Sequence, residues 1–188
     1  ALADALLGQG RADNAIREYR VGIDLSPGLA IGWIRLGGAF LLTGQGSKAQ
    51  EAFNQAQAIE PDNLRSQAGA AEAAAMAGDL ETAQAGFVSA LVHSPGNPDL
   101  IISLARLQDA QGQTDEAEAT LRRACRDYPV ELALWLALGR ALQAWNRLEE
   151  AHALYQQARL THPGAFELLM ASADSAYQMR DLDSARDL

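Results

Sequence analysis

Five of the six prolines stand at one fixed interval: Pro27, Pro61, Pro95, Pro129 and Pro163, each 34 residues beyond the last. Ala15, Ala49, Ala83, Ala117, Ala151 and Ala185 keep the same step, as do Gly10, Gly44, Gly78 and Gly112. The glycine series then passes to Asn146 and Arg180. No insertion or deletion breaks the register. Such a repeat constrains a fold more than composition does, because each unit must bury its apolar face against its neighbours. The chain of 188 residues holds about five and a half units of this period.

Inside a unit the apolar residues are helical. Trp33, Leu36, Gly37 and Phe40 follow the i, i+3, i+4, i+7 spacing of one helix face, and Ala49, Phe53 and Ala56 do the same in the next helix. Small residues recur at one position (Ala3, Gly37, Ala71, Ala105, Gly139, Ala173), where backbones must approach closely. Large ones recur opposite them (Tyr19, Phe53, Phe87, Leu121, Tyr155). This explains a chain that is 48% hydrophobic with only 6% aromatic residues. The serial glycines stand where a helix ends and the chain turns. Asp13, Ser47, Glu81, Asp115, Glu149 and Asp183 follow at the next helix start, where the dipole favours negative charge. Each serial proline stops the second helix, and Pro98 takes a first helical position. The spacing predicts first helices over 30–43, 64–77, 98–111, 132–145 and 166–179. Second helices are predicted over 13–26, 47–60, 81–94, 115–128 and 149–162. Residues 1–9 read as the end of a first helix and 183–188 as the start of a second.

With units beginning at Ala30, Leu64, Pro98, Leu132 and Phe166, the unit Trp33, Leu36, Gly37, Phe40, Gly44, Ala49, Phe53, Ala56, Pro61 resembles the tetratricopeptide repeat (TPR) at every position. Trp135, Leu138, Gly139, Leu142, Ala151, Tyr155, Ala158 and Pro163 follow it nearly as well. Two units depart in their first halves, with Gln67 and Ala70 in place of Trp and Leu, and Gln108 in place of an aromatic. Their second halves hold. The resemblance covers the whole chain. It implies an all-α, right-handed α-solenoid of stacked antiparallel helix pairs, one array over 1–188. Its units are 1–29 (partial), 30–63, 64–97, 98–131, 132–165 and 166–188 (partial). It also implies a non-catalytic protein–protein interaction scaffold that holds a peptide or helix of a partner in its concave groove, with no cofactor. Chaperone-tail binders of this family clamp a terminal carboxylate with Lys and Asn, but Ile34, Gly38, Gly69, Asp99 and Ser103 occupy those positions here. The Asn ladder of the sugar-transferase arrays is replaced by Arg35, Gly69, Ser103, Ala137 and Ala171.

A net charge of −9 disfavours a general nucleic-acid binder, since a phosphate backbone calls for clustered Lys and Arg. One cysteine excludes an internal disulfide framework and a Cys-cluster zinc site. No uncharged apolar run approaches the roughly 18 residues of a membrane span, and the first residues carry no basic signal region. The compartment, cytoplasm or periplasm, stays open. Gly44-Gln-Gly46-Ser-Lys48 suggests a phosphate loop, but it follows a helix rather than a strand. Glu149 and His152 have the spacing of a di-iron ligand pair without the second copy such a site needs. His93 and His162 sit near helix ends, Cys125 reads as a small, partly buried helix residue, and Trp145 as either packing or an exposed contact. No catalytic or metal-binding residues emerge.

Groove-facing candidates are the first-helix positions outside the repeat signature: Ile31, Ile34, Arg35, Arg65, Glu72, Met76, Asp99, Ile102, Arg106, Leu136, Arg140, Gln143 and Asp174. This mixture of apolar and charged groups suits an extended peptide or a helix. Two readings of the charges stand side by side: Glu72–Arg106 and Arg140–Asp174 neutralise one another, or Arg106 and Arg140 meet a ligand. The expected partner is a protein or peptide, with no nucleic acid and no membrane insertion. Apolar end helices would also permit end-to-end self-association. The absence of an initiator Met, the mid-helix start and the unfinished last unit suggest a piece of a longer protein. The Ala-rich, Lys-poor composition suggests a bacterial one. A TPR arm of a larger bacterial enzyme of transferase type, or of a polysaccharide or protein export machine, is therefore the alternative.

Overall fold

The structure, a computed structural model, describes residues 2–186, with side chains described through residue 180. Among the described residues it is all-α. The helices in chain order are α1 (Leu2–Gly8), α2 (Ala12–Leu25), α3 (Ala30–Leu42), α4 (Gly46–Ile59), α5 (Leu64–Met76) and α6 (Leu80–His93). They continue as α7 (Pro98–Ala110), α8 (Thr114–Asp127), α9 (Leu132–Ala144), α10 (Leu148–Thr161) and α11 (Phe166–Arg186). The boundaries follow the repeat, because the same residues end each helix. Gly10, Gly44, Gly78 and Gly112 all have φ between 72° and 85°. This left-handed region costs an L residue roughly 1–2 kcal/mol, and Asn146 occupies it at 60° as the best substitute for Gly. The turn lets the amide of Gln45 donate back to the carbonyl of Phe40 (2.9 Å), and that of Arg147 to Leu142 (2.8 Å).

Second helices begin one residue earlier than the spacing suggested. Their N-cap positions hold Arg11, Gln45, Asp79, Gln113 and Arg147, of which only Asp79 caps with its side chain, accepting from the Thr82 amide. The acidic residues expected there sit within the first turn instead, where the dipole argument still applies. Asn63 and Asn97 cap α5 and α7, each accepting two backbone amides.

The last repeat departs from expectation. A turn near residue 180 and a second helix from 183 were expected, yet α11 runs unbroken to Arg186. At the turn position stands Arg180, for which positive φ is unfavourable, and its neighbours are helix formers.

The helices fall into two compact units, Ala1–Pro95 and Gly96–Leu188. In the first, short turns make consecutive helices antiparallel neighbours. Their shared core includes Tyr19, Leu36, Phe40, Phe53 and the alanines Ala49, Ala52 and Ala56. Phe53 shows why the small positions are small: a Cβ at Gly37 would lie 2.8 Å from its ring, and one at Gly69 would be closer still. In the second unit Tyr155 stands in the same relation to Gly139, and Leu134, Leu138, Leu142 and Leu154 are buried as well. Each such buried side chain contributes about 1.5–3 kcal/mol relative to exposure.

The signature tryptophans have a polar task as well. The Trp33 indole donates to the Pro27 carbonyl (3.2 Å) and Trp135 to Pro129 (3.0 Å), pinning the turn that precedes each unit. Gln67, which breaks the signature, donates its amide to the Pro61 carbonyl (2.9 Å) and so keeps that bond.

Candidate functional site

In the second unit, α7 and α9 lie either side of α8 and leave a groove of about 380 Å³. Leu121 and Ala117 of α8 form its floor with Ala105. Ile102 and Leu136 are half-buried on opposite walls, and Ala133, Ala137, Ala141 and Ala144 keep the α9 wall low. Arg106 and Arg140, one repeat apart, stand exposed on the rim. Trp145 closes one end, its indole donating to Asp109 across the groove (2.8 Å), while Thr114 donates to the same carboxylate oxygen (3.2 Å). Trp145 therefore serves both as packing and as a groove wall.

Four sequence candidates, Ile102, Arg106, Leu136 and Arg140, are brought together here. The expected neutralisation of Arg140 by Asp174 is not found. Asp174 accepts instead from Gln178 (2.8 Å) and Gln143 (3.4 Å), and neither Arg106 nor Arg140 forms an ion pair among the described residues. Gln143 is likewise committed inside the unit. It donates to the Ser175 hydroxyl (2.8 Å) and accepts from Tyr155 (3.1 Å), whose phenol burial pushes up to about 12. Asp99 lies in the first turn of α7, its amide donating to Asn97.

The first-unit candidates do not gather in one site. Ile34 is a correction: at 8% exposure it belongs to the core, because its turn of α3 faces inward. Ile31 and Arg35 border a shallow hollow with Leu2 and Tyr19, where Arg35 pairs with Asp4 (2.7 Å). Glu72 and Arg65 are exposed on α5, as is Met76. A larger, more open hollow of about 790 Å³ lies over Trp33, Leu36 and Phe40. Its rim mixes both signs of charge, and Arg20 and Lys48 each stand 5.8 Å from the centre of the Phe40 ring. The second-unit groove is distinguished by two rim cations above an apolar floor. Sequence reasoning missed its floor and low wall; the signal was Leu121 in the aromatic register, with Ala105 and Ala137 at positions where other units have Gly37 and Gly69.

Cys125 and Ser172 are withdrawn from solvent. Cys125 is buried, which pushes its thiol up to about 11, and Ser172 is buried among Gln156 and His152. No three His, Cys, Asp or Glu side chains cluster as a metal site among the described residues, and no helix there is long and apolar enough to cross a membrane.

Helix pairs on a 34-residue step, with a groove between successive first helices, define a helical-repeat protein. The sequence signature described as tetratricopeptide repeat matches residues 74–142, and a second of the same description matches 1–63 and 136–188. The chain belongs to the tetratricopeptide-repeat family. It is 33% identical over 87 residues to cellulose synthase operon protein C of Pseudomonas fluorescens (strain SBW25), 46% of this chain but only 7% of that protein. Its fold is similar to a thermophilic TPR protein of Thermus thermophilus (TM-score 0.70, 24% identity, 94% of this chain and 96% of that one). It is also similar to the second TPR domain of human RPAP3 in complex with the HSP70 peptide SGPTIEEVD (TM-score 0.54, 22% identity, 56% and 88%).

Proposed function

We propose that this chain is a non-catalytic scaffold that binds a peptide or helix of a partner protein in the groove between α7 and α9. The observation carrying this is the apolar floor of Leu121 and Ala105 beneath two guanidiniums that form no ion pair among the described residues. The half-buried apolar walls of Ile102 and Leu136, and cations without an ion pair, both gain from a ligand. The complex of the RPAP3 domain with a peptide supports the reading by analogy of fold. The test is capture of a partner by the immobilised chain, followed by hydrogen exchange with the purified partner. Protection should fall on residues 98–145, and Arg106→Glu with Arg140→Glu should weaken capture. Capture unchanged by this pair would reject the groove.

A second reading, an arm of a larger bacterial enzyme or export machine, is favoured by the likeness to the cellulose synthase operon protein, of which this chain spans a small part. A gene whose product adds no further domain would remove it. Self-association is a third reading, suggested by Leu169, Met170 and Tyr177 exposed on α11. Light scattering that shows only monomer at high concentration would dismiss it.

A further inference from the structure

We infer that the groove of the second unit takes an aromatic side chain from a partner segment, and that acidic residues flank this anchor. The inference rests on the scaffold reading above and adds the chemistry of the partner.

The repeat register carries the first step. At the position facing the neighbouring first helices the chain places its own ring in four of five repeats, Tyr19, Phe53, Phe87 and Tyr155; Phe53 lies against Gly37 and Gly69, and Tyr155 against Gly139. In the intervening register of the second unit stands Leu121, with Ala105 and Ala137 in the glycine positions. Two methyl groups and a shorter, branched side chain stand where Phe53 and its two glycines bring a ring between bare backbones. The remaining space is open to solvent, and all three residues line it. An occupant that covers the half-buried apolar walls of this space removes their surface from water.

Size and chemistry carry the second step. About 380 Å³ lies at the low end of ligand pockets, which run roughly 300–1,000 Å³. That suits one bulky side chain with its stretch of backbone. Trp145 is fixed at the rim with its indole N–H already given to Asp109, so its ring offers faces and edges rather than a donor. An incoming ring can meet it edge-to-face or offset-stacked.

Charge carries the third. The chain as a whole has a net charge of −9, yet this rim presents Arg106 and Arg140. Asp109 lines the same groove, one of its carboxylate oxygens accepting from Trp145 and Thr114, and it forms no ion pair with either arginine. Guanidiniums match carboxylates with paired donors, so Asp or Glu on either side of the anchor meets one cation on each wall.

The test uses the whole chain and fluorescein-labelled twelve-residue peptides read by fluorescence anisotropy. One peptide has a central Phe between Asp-Glu pairs, a second replaces Phe by Ala, and a third replaces the acids by Lys and Arg. The acidic Phe peptide should bind about tenfold or more tightly than either other. Its affinity should fall as salt rises. Ala133→Phe, at an exposed wall position, and the pair Arg106→Glu and Arg140→Glu should each weaken it about tenfold or more, with the helical circular dichroism unchanged. Lys48→Glu, on the first unit, should leave it unaltered. Equal affinity for the three peptides, or affinity untouched by both groove variants, overturns the inference. If the groove variants still capture a partner protein, the aromatic anchor and this groove fail together, while binding elsewhere on the scaffold survives. If the peptides discriminate as expected but no partner protein is captured, the scaffold reading fails alone.

Discussion

Gly139→Ala sets two effects of opposite sign against each other. Gly139 lies inside α9, and Ala in a helix interior is favoured over Gly by about 1 kcal/mol. Against this, the new Cβ would fall on Cε1, Cζ and Oη of Tyr155, closer than any unstrained contact. The ring cannot swing aside, because Tyr155 is 0% exposed and its hydroxyl is bonded to Gln143, itself bonded to Ser175. Overpacking a dense site costs about 1–3 kcal/mol, and a clash with a rigid ring belongs at the upper end. The net expectation is a loss of about 1–2 kcal/mol. Urea unfolding followed by circular dichroism and tryptophan emission measures it. Tyr155→Leu recreates beside Gly139 the pairing of Leu121 with Ala105 and Ala137, so the penalty of the added methyl should vanish in the double mutant. The coupling energy of that cycle should be about 0.5–3 kcal/mol. A Gly139→Ala protein more stable than the parent, or two substitutions that simply add, would refute the account of why this position is glycine.

Gly22, inside α2 with no atom near its missing Cβ, is the converse case: Gly22→Ala should stabilise by up to about 1 kcal/mol in the same assay. Glu118 is held below its ordinary 4.5 by Arg147 first, and by Arg122. Its contribution is therefore complete above about pH 4.5 and is lost as pH falls through the lowered folded value. Glu118→Gln should cost about 1 kcal/mol at pH 7 and almost nothing near pH 3, and an equal cost at both would reject the ion pairs as its cause. Burial of Cys125 predicts slow alkylation at pH 8 that accelerates only with unfolding; rapid labelling of the native chain would contradict it.

The fold was legible because one period repeats its punctuation. Gly and Asn at the turn position, Ala and Gly at the close contacts and Pro after each second helix are local requirements, so they show in the sequence one residue at a time. Where the structure departs, as in α11, the punctuation itself had lapsed at Arg180. The groove was half legible. Arg106, Arg140, Ile102 and Leu136 follow from the helix face, whereas Ile34 on the equivalent kind of face is buried, because burial depends on which neighbouring helices cover a turn. The hydrogen bonds that remove Gln143 and Asp174 from the rim, and the Trp145–Asp109 bond that closes its end, depend on side-chain directions across two helices. A periodic pattern does not encode those directions. Leu121 was visible as a break in the aromatic series, but only the neighbouring Ala105 and Ala137 show that the break opens a space.

The side-chain bonds between repeats have a consequence for how the chain is made. Trp145 reaches back 36 residues to Asp109, His162 reaches back 32 to Val130, and Arg35 reaches back 31 to Asp4. Each partner is thus already synthesised when the later residue emerges. Ribosomes add roughly 5–20 residues per second, so one repeat takes about 2–7 s. Helical structure with such near partners forms in microseconds to milliseconds. Each completed pair of helices can therefore settle before the next is finished, leaving only one apolar face waiting at a time for the repeat that will cover it.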